Sequence, residues 1–130
     1  MASSTLAAIA VAATLGLSPS TAHANPTSNF SGSVAYGYSA GTFIWYNRSL
    51  GIQGEVCDYA GSGSTQVRFA FHQGSNYLGD DGYPDQTRTA TGECRSFNFT
   101  QSGPVGGITH VQAWLYNGSS YTSIGVYSRP

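Results

Sequence analysis

Glycine, serine, threonine and asparagine recur after residue 24 too closely for a long helical run to fit between them. The short runs between these turn residues are rich in β-branched and aromatic residues, which is typical of strands. The clearest pair spans residues 108–116 and 121–127, on either side of Asn117-Gly118-Ser119-Ser120. An Asn-Gly pair between two strand-like runs is a strong hairpin signal. The C-terminal part of the chain is therefore predicted to form a β-hairpin.

Other runs show the two-residue alternation expected when one face of a sheet is buried. In residues 64–72 the apolar positions 67, 69 and 71 are predicted to face the core, whereas Arg68 and His72 face solvent. Further strands are predicted over residues 42–48, 50–57 and 93–100, with an edge strand over 34–38 and a short strand over 87–91. Short strands separated by turn signals predict an all-β fold, a small antiparallel β-sandwich or barrel.

The beginning of the chain has the pattern of a cleaved secretory signal peptide. An apolar run from Leu6 to Leu17 is followed by Ala22-His23-Ala24, and it is too short to span a membrane. Residues 1–5 contain no Lys or Arg, which is unusual for such a signal. We expect a signal peptide over 1–24, a flexible N-terminal arm over 25–33 and one β domain over 34–130. An extracellular location follows, with no membrane span in the secreted part.

The chain contains two cysteines, Cys57 and Cys94, and both follow the predicted cleavage site. In an exported protein an even pair of cysteines favours a disulfide over a metal site or a nucleophile. We therefore predict one structural disulfide between them. The absence of lysine and the alanine-rich leader are typical of a bacterium with a GC-rich genome.

Charged residues are scarce in this chain. They make up 8% of the residues, and the formal net charge is −1. Broad binding of phosphates needs a basic face, so no nucleic-acid partner is expected. No motif for a cofactor is found, and none is expected.

The longest irregular stretch, residues 74–86, contains three carboxylates, Asp80, Asp81 and Asp85. Carboxylate oxygens are ligands for calcium, which makes this segment a weak calcium candidate. The spacing departs from an EF-hand loop, and no bidentate Glu follows. A solvated turn is the favoured interpretation, because Asp and Gly are common turn residues.

Several residues suit hydrolytic catalysis, although no nucleophile motif accompanies them. His72 or His110 with Glu55 or Glu93 and with Arg68 would supply an acid, a base and a phosphate ligand. In composition the chain resembles the microbial guanyl-specific ribonucleases, which are short exported proteins rich in tyrosine and poor in lysine. That resemblance implies a helix packed on a sheet, but no helix is predicted here, and the local catalytic motifs are not matched. No catalytic residue is assigned.

Tyrosine and tryptophan are more numerous than the core of a small domain requires. Alternation places Trp114 and Tyr116 on the face opposite Val111 and Leu115, and Trp45 and Tyr46 on opposite faces of their strand. Tyr and Trp among Ser, Gly and Asn resemble the composition of binding paratopes. The predicted binding residues are Trp45, Tyr46, Arg48, Tyr77, Tyr83, Trp114, Tyr116 and Tyr121.

These observations favour a secreted, non-catalytic domain that binds a protein partner. The partner would be an exported hydrolase that the domain inhibits, or the other subunits of a secreted toxin-type complex. The alternative is a module that binds cell-surface or wall glycan, and a more distant one is a small secreted ribonuclease. A flat aromatic patch beside a free edge strand would favour a protein partner, whereas an aromatic groove would favour glycan.

Overall fold

The computed structural model describes residues 24–59, 61 and 63–130. The strands are β1 (Thr27–Val34), β2 (Gly37–Trp45), β3 (Leu50–Asp58), β4 (Ser64–Gln73), β5 (Asn76–Tyr77), β6 (Gln86–Thr91), β7 (Cys94–Gln101), β8 (His110–Asn117) and β9 (Ser120–Ser128). A short 3-10 helix, Leu78–Asp81, lies between β5 and β6, and no α-helix occurs among the described residues. The all-β prediction is confirmed. Apart from Ala24, the predicted signal peptide lies outside the described residues.

The strands form two antiparallel sheets. The first has the order β1-β2-β3-β7. The second has the order β5-β4-β8-β9, and β6 pairs with β4 on the same side as β5. No helix long and apolar enough to cross a membrane occurs within the described parts of the chain.

The two sheets enclose one hydrophobic core to which the inner faces of both contribute. Phe43 of β2 and Phe69 of β4 meet edge to face with ring centroids 6.0 Å apart, and both are fully buried. Phe30 of β1 stacks on Phe43 with centroids 4.6 Å apart. Gly41 lies opposite Phe30 in the β1–β2 pairing, and a Cβ there would overlap the carbonyl oxygen of Gln53. This close approach requires glycine.

The predicted disulfide between Cys57 and Cys94 is confirmed. The two residues are direct partners in the β3–β7 ladder, with Cα atoms 3.9 Å apart. The bond lies within the first sheet and closes the segment that contains β4, β5 and β6 of the second sheet.

The prediction of a flexible arm over residues 25–33 is wrong for Thr27 onward. Strand β1 pairs with β2 along its whole length, from Thr27 opposite Ile44 to Val34 opposite Gly37. The physical reason is Phe30, whose ring is buried in the core and ties the segment down. The predicted edge strand over 34–38 is also wrong, because that segment contains the turn between β1 and β2.

The C-terminal hairpin and its turn over residues 117–120 are confirmed, with Asn117 and Ser120 belonging to the strands. Asn117 pairs with Ser120, so Gly118 and Ser119 are the central residues. Gly118 has a φ of +63°, and no non-glycine residue described has a positive φ. Glycine at the first central position is typical of a type II′ turn, which matches the twist of the flanking strands.

Candidate binding surface

The side of the second sheet that faces away from the core carries Trp114, Tyr116 and Tyr121 on two adjacent strands. Arg68 on β4 lies opposite Trp114 on β8, which lies opposite Ser123 on β9. Because directly opposed residues point to the same side of a sheet, one surface can be read from the register. We call it the outer face, defined by Gln66, Arg68, His72, Tyr77, His110, Gln112, Trp114, Tyr116, Tyr121, Ser123, Val126 and Ser128.

Two tyrosines stack on each other at one end of the outer face. Tyr116 and Tyr121 are cross-strand partners on β8 and β9, and their rings stack with centroids 5.3 Å apart and planes inclined by 25°. Tyr121 is 63% exposed, and Val126 farther along β9 is 57% exposed. The Arg68 guanidinium carbon lies 4.8 Å from the centre of the Tyr116 ring. Two rings, a cation and an exposed valine thus lie on one side of adjacent strands.

A hydrogen-bonded acidic group borders the outer face near Tyr77. The Tyr77 hydroxyl donates to Asp85 Oδ1 at 2.6 Å, and Arg68 Nη1 lies 3.9 Å from Asp85 Oδ2. The hydrogen bond to Asp85, followed by burial, raises the pKa of Tyr77 to about 12. Arg68 Nε is buried without a hydrogen-bond partner among the described residues. The position of this arginine therefore depends on its contacts with Asp85 and Tyr116.

Two histidines are neighbours at one end of the outer face. His72 and His110 are directly opposed on β4 and β8, and their rings are parallel within 8° with centroids 4.5 Å apart. The Tyr77 ring lies beside His72 at 5.5 Å. Burial, and to a smaller extent the adjacent His72, lowers the pKa of His110. Thr109 closes this end of the ladder by donating its N–H to the His72 carbonyl at 2.9 Å.

Strand β9 is an open edge of the second sheet. Among the described strands it pairs only with β8. Its nine residues include no charge and no proline, which are the usual means of blocking unwanted pairing. A bulge interrupts the β8–β9 register near Ala113 and Trp114. Ile124 of β9 packs against Gly32 of β1, so the edge strand also contacts the first sheet.

The structure brings together half of the predicted binding residues. Tyr77, Trp114, Tyr116 and Tyr121 all belong to the outer face. Sequence reasoning left Arg68, His72, His110 and Val126 out of that set. Alternation had already predicted that Arg68 and His72 face solvent. Their neighbours on β8 could not be predicted, because they depend on how the two strands pair.

Trp45 does not lie on a binding surface. It is 1% exposed, and its Nε1–H donates to Ser28 Oγ at 2.9 Å. Trp45 shares the side of β2 that carries Phe43, and this is the side covered by the second sheet. The large ring is therefore a core residue.

The other three predicted binding residues lie outside the outer face. Tyr46 and Arg48 belong to the turn between β2 and β3, where Arg48 Nη2 donates to the Gly103 carbonyl at 3.3 Å. Tyr83 is half-buried against the core and donates its backbone N–H to Leu78. These three residues therefore do not enlarge the aromatic surface of the outer face.

The three aspartates of the calcium candidate do not converge. Asp81 accepts a hydrogen bond from Asn76 at 2.7 Å, whereas Asp85 is occupied by Tyr77 and Arg68. Among the described residues, the metal-ligating types come together in threes only at Glu55, Cys57 and Cys94. Both cysteines there are oxidised in the disulfide and cannot supply thiolate ligands.

The ribonuclease alternative requires a carboxylate base beside a histidine. Glu55 lies on β3 of the first sheet and accepts a hydrogen bond from Tyr38 at 2.6 Å, whereas both histidines lie on the second sheet. Glu93 precedes β7, also in the first sheet. No pocket is found among the described residues. The predicted acid, base and arginine are therefore not gathered in one site.

Comparisons of the chain with protein-family models, with curated proteins and with solved structures returned no match.

Proposed function

We propose that this protein is a secreted, non-catalytic binding domain that engages a protein partner through the outer face and the adjoining edge strand β9. The observation that carries the proposal is the stack of Tyr116 on β8 with Tyr121 on the adjacent open edge strand β9, whose residues carry no charge. Tyrosine and tryptophan give a partner large contact area at a low cost in side-chain entropy. An open edge adds main-chain hydrogen bonds, as in binding by β-strand addition.

The low charge of this surface supports a partner with an uncharged, extended contact segment. The cation on the outer face, Arg68, already contacts Asp85 and Tyr116. Affinity should therefore come from aromatic burial and backbone pairing, and it should depend weakly on salt. An exported hydrolase that is inhibited, or another subunit of a toxin-type complex, are the partner classes we favour.

Secretion is part of the proposal and has its own test. The pattern ending at Ala24 and the disulfide support export. Sequencing the N-terminus of the protein recovered from culture medium should begin at Asn25. Recovery of the intact chain inside the producing cells would contradict export without affecting the binding surface.

Partner binding is tested by capture from the producing organism's culture medium with immobilised protein. Tyr121→Ala should weaken a captured complex by roughly thirtyfold, the loss expected for a contact worth about 2 kcal/mol. Val105→Ser, which changes an exposed apolar residue outside the outer face, is the matched control and should bind as the parent does. If both variants retain the same partner with equal affinity, the outer face is not the interface.

The role of the edge strand is tested separately. Thr122 is an exposed residue of β9, and Thr122→Lys introduces the charge that natural edge strands use against pairing. Loss of the partner in Thr122→Lys but not in Thr122→Ser would support strand addition. Equal binding by both would restrict the contact to side chains of the outer face.

Glycan binding remains the second candidate, since the stacked tyrosines lie on the same face as the amides of Gln66 and Gln112. Aromatic rings and amides are groups that bind sugars. Binding of the protein to purified wall polysaccharide, lost in Tyr121→Ala and unaffected by Thr122→Lys, would favour glycan over a protein partner.

A further inference from the structure

We infer that His72 and His110 form a two-histidine site for a late first-row divalent metal ion, with Zn²⁺ and Cu²⁺ as the best-suited ions. This inference does not rest on the proposed protein-binding function. The chain has three histidines, and the two that lie in the described part are side by side. Imidazole nitrogen is a preferred ligand of zinc and copper.

The backbone holds the two imidazoles at a suitable spacing. His72 and His110 are opposed in the β4–β8 ladder, and the bond from Thr109 N–H to the His72 carbonyl secures that end. The two rings are parallel within 8°, with centroids 4.5 Å apart. Two metal–nitrogen bonds of about 2.1 Å require nitrogens roughly 3.4 Å apart. Because each nitrogen lone pair lies in the plane of its ring, an ion that binds both rings requires rotation about the side-chain bonds that turns the rings out of this parallel stack.

Hydrogen bonding at Thr109 determines which nitrogen of His110 is available. Thr109 Oγ1 donates its only proton to the His72 carbonyl at 3.3 Å, and it accepts the Gly74 N–H at 2.8 Å. With the hydroxyl proton directed to that carbonyl, the contact between Thr109 Oγ1 and His110 Nδ1 at 3.3 Å is a hydrogen bond donated by Nδ1. The lone pair of His110 is then on Nε2, where a metal ion can bind it. A protonated Nδ1 bonded to an oxygen is the usual arrangement behind a metal-ligating histidine.

The surroundings of the pair leave the remaining coordination positions to water or to a bound molecule. The nearest phenol, Tyr77, donates its proton to Asp85. On the neighbouring strand β9, the residue opposite His110 is Ser128, which is exposed. A site with two protein ligands and open positions binds more weakly than a four-ligand structural site.

The test uses the untagged full chain carrying His23→Gln, so that His72 and His110 are its only imidazoles. Zn²⁺ alone is titrated in while the nitrogen NMR signals of both imidazoles are followed. We expect both rings to shift together and to saturate at one ion per chain. Cu²⁺ should compete with Zn²⁺ and bind more tightly. If only one ring shifts, or neither does, the inference is overturned whatever the variants show.

Variants then separate this site from other ligands. His72→Gln and His110→Gln should each weaken Zn²⁺ binding at least about tenfold, and Thr109→Val should weaken it by about the same factor through loss of the Nδ1 partner. Asp81→Asn is the matched control, because it removes a carboxylate of the aspartate-rich loop and leaves the histidines intact. Binding that survives His110→Gln but is lost in Asp81→Asn would assign the ion to the loop instead. Circular dichroism of each variant checks that the strands are retained.

Discussion

Removal of the disulfide is expected to cost this protein a large part of its stability. The bond joins positions 37 residues apart, and closing a loop of that length lowers the entropy of the unfolded chain by the equivalent of about 4 kcal/mol. Small domains have a total free energy of unfolding of about 5–15 kcal/mol. In the double variant Cys57→Ala/Cys94→Ala the loss should therefore be about 4 kcal/mol, with a fall in Tm of at least roughly 15 °C.

The structure explains why the native state should survive this change. Cys57 and Cys94 are partners in the β3–β7 ladder, which continues through seven further residue pairs to Leu50 and Gln101. The strand pairing therefore does not depend on the sulfur atoms. Cys57 is buried, so replacing it also leaves a small void, whereas Cys94 is exposed. The reduced parent protein lacks the bond but retains both sulfur atoms, so its loss of stability measures the loop entropy without the contribution of the void.

The assay is urea unfolding of the oxidised parent, the reduced parent and the double variant. The reduced parent should unfold at a much lower urea concentration than the oxidised one, and the double variant slightly lower still. The slope of the free energy against urea should rise when the bond is absent, because the unfolded chain is then less compact. A loss below about 1 kcal/mol in the reduced parent would refute the loop-entropy argument.

Three further predictions concern packing and ionisation. Phe69→Ala should lower the free energy of unfolding by about 3–5 kcal/mol in urea melts, because this fully buried ring of the second sheet packs against Phe43 and Phe97 of the first. Gly41→Ala should destabilise the fold in the same assay, since the new Cβ overlaps the carbonyl oxygen of Gln53; a Tm equal to that of the parent would contradict this close contact. Tyr77 should ionise in a near-ultraviolet absorbance titration with a pKa of about 12, and Asp85→Asn should return it towards 10. Because the pKa is raised in the folded state, the stabilisation from the Tyr77–Asp85 hydrogen bond is complete below about pH 10 and is lost as the pH rises towards 12. A free energy of unfolding that stays unchanged across that pH range would show that the bond contributes nothing.

The local features of the fold could be predicted from the sequence, as particular residues show. Alternation correctly placed Val111 and Leu115 inward, and the Asn117-Gly118 signal located the final hairpin. The same reasoning missed β1, because a single apolar residue, Phe30, gave too little alternation to distinguish a strand from an arm. The residues of the outer face were only partly found, since they come from strands far apart in the chain.

The amino-acid sequence by itself determined the strand content, the partners in the disulfide and the two sides of each strand. These properties depend on local residue spacing and on the number of cysteines. Only the tertiary structure decided which side of β2 is covered, and thus that Trp45 is a core residue and not a surface one. It also decided that His72 meets His110 and that Tyr116 meets Tyr121 on an open edge. Strand order and register are set by burial of apolar faces between distant segments, and no local pattern contains that information.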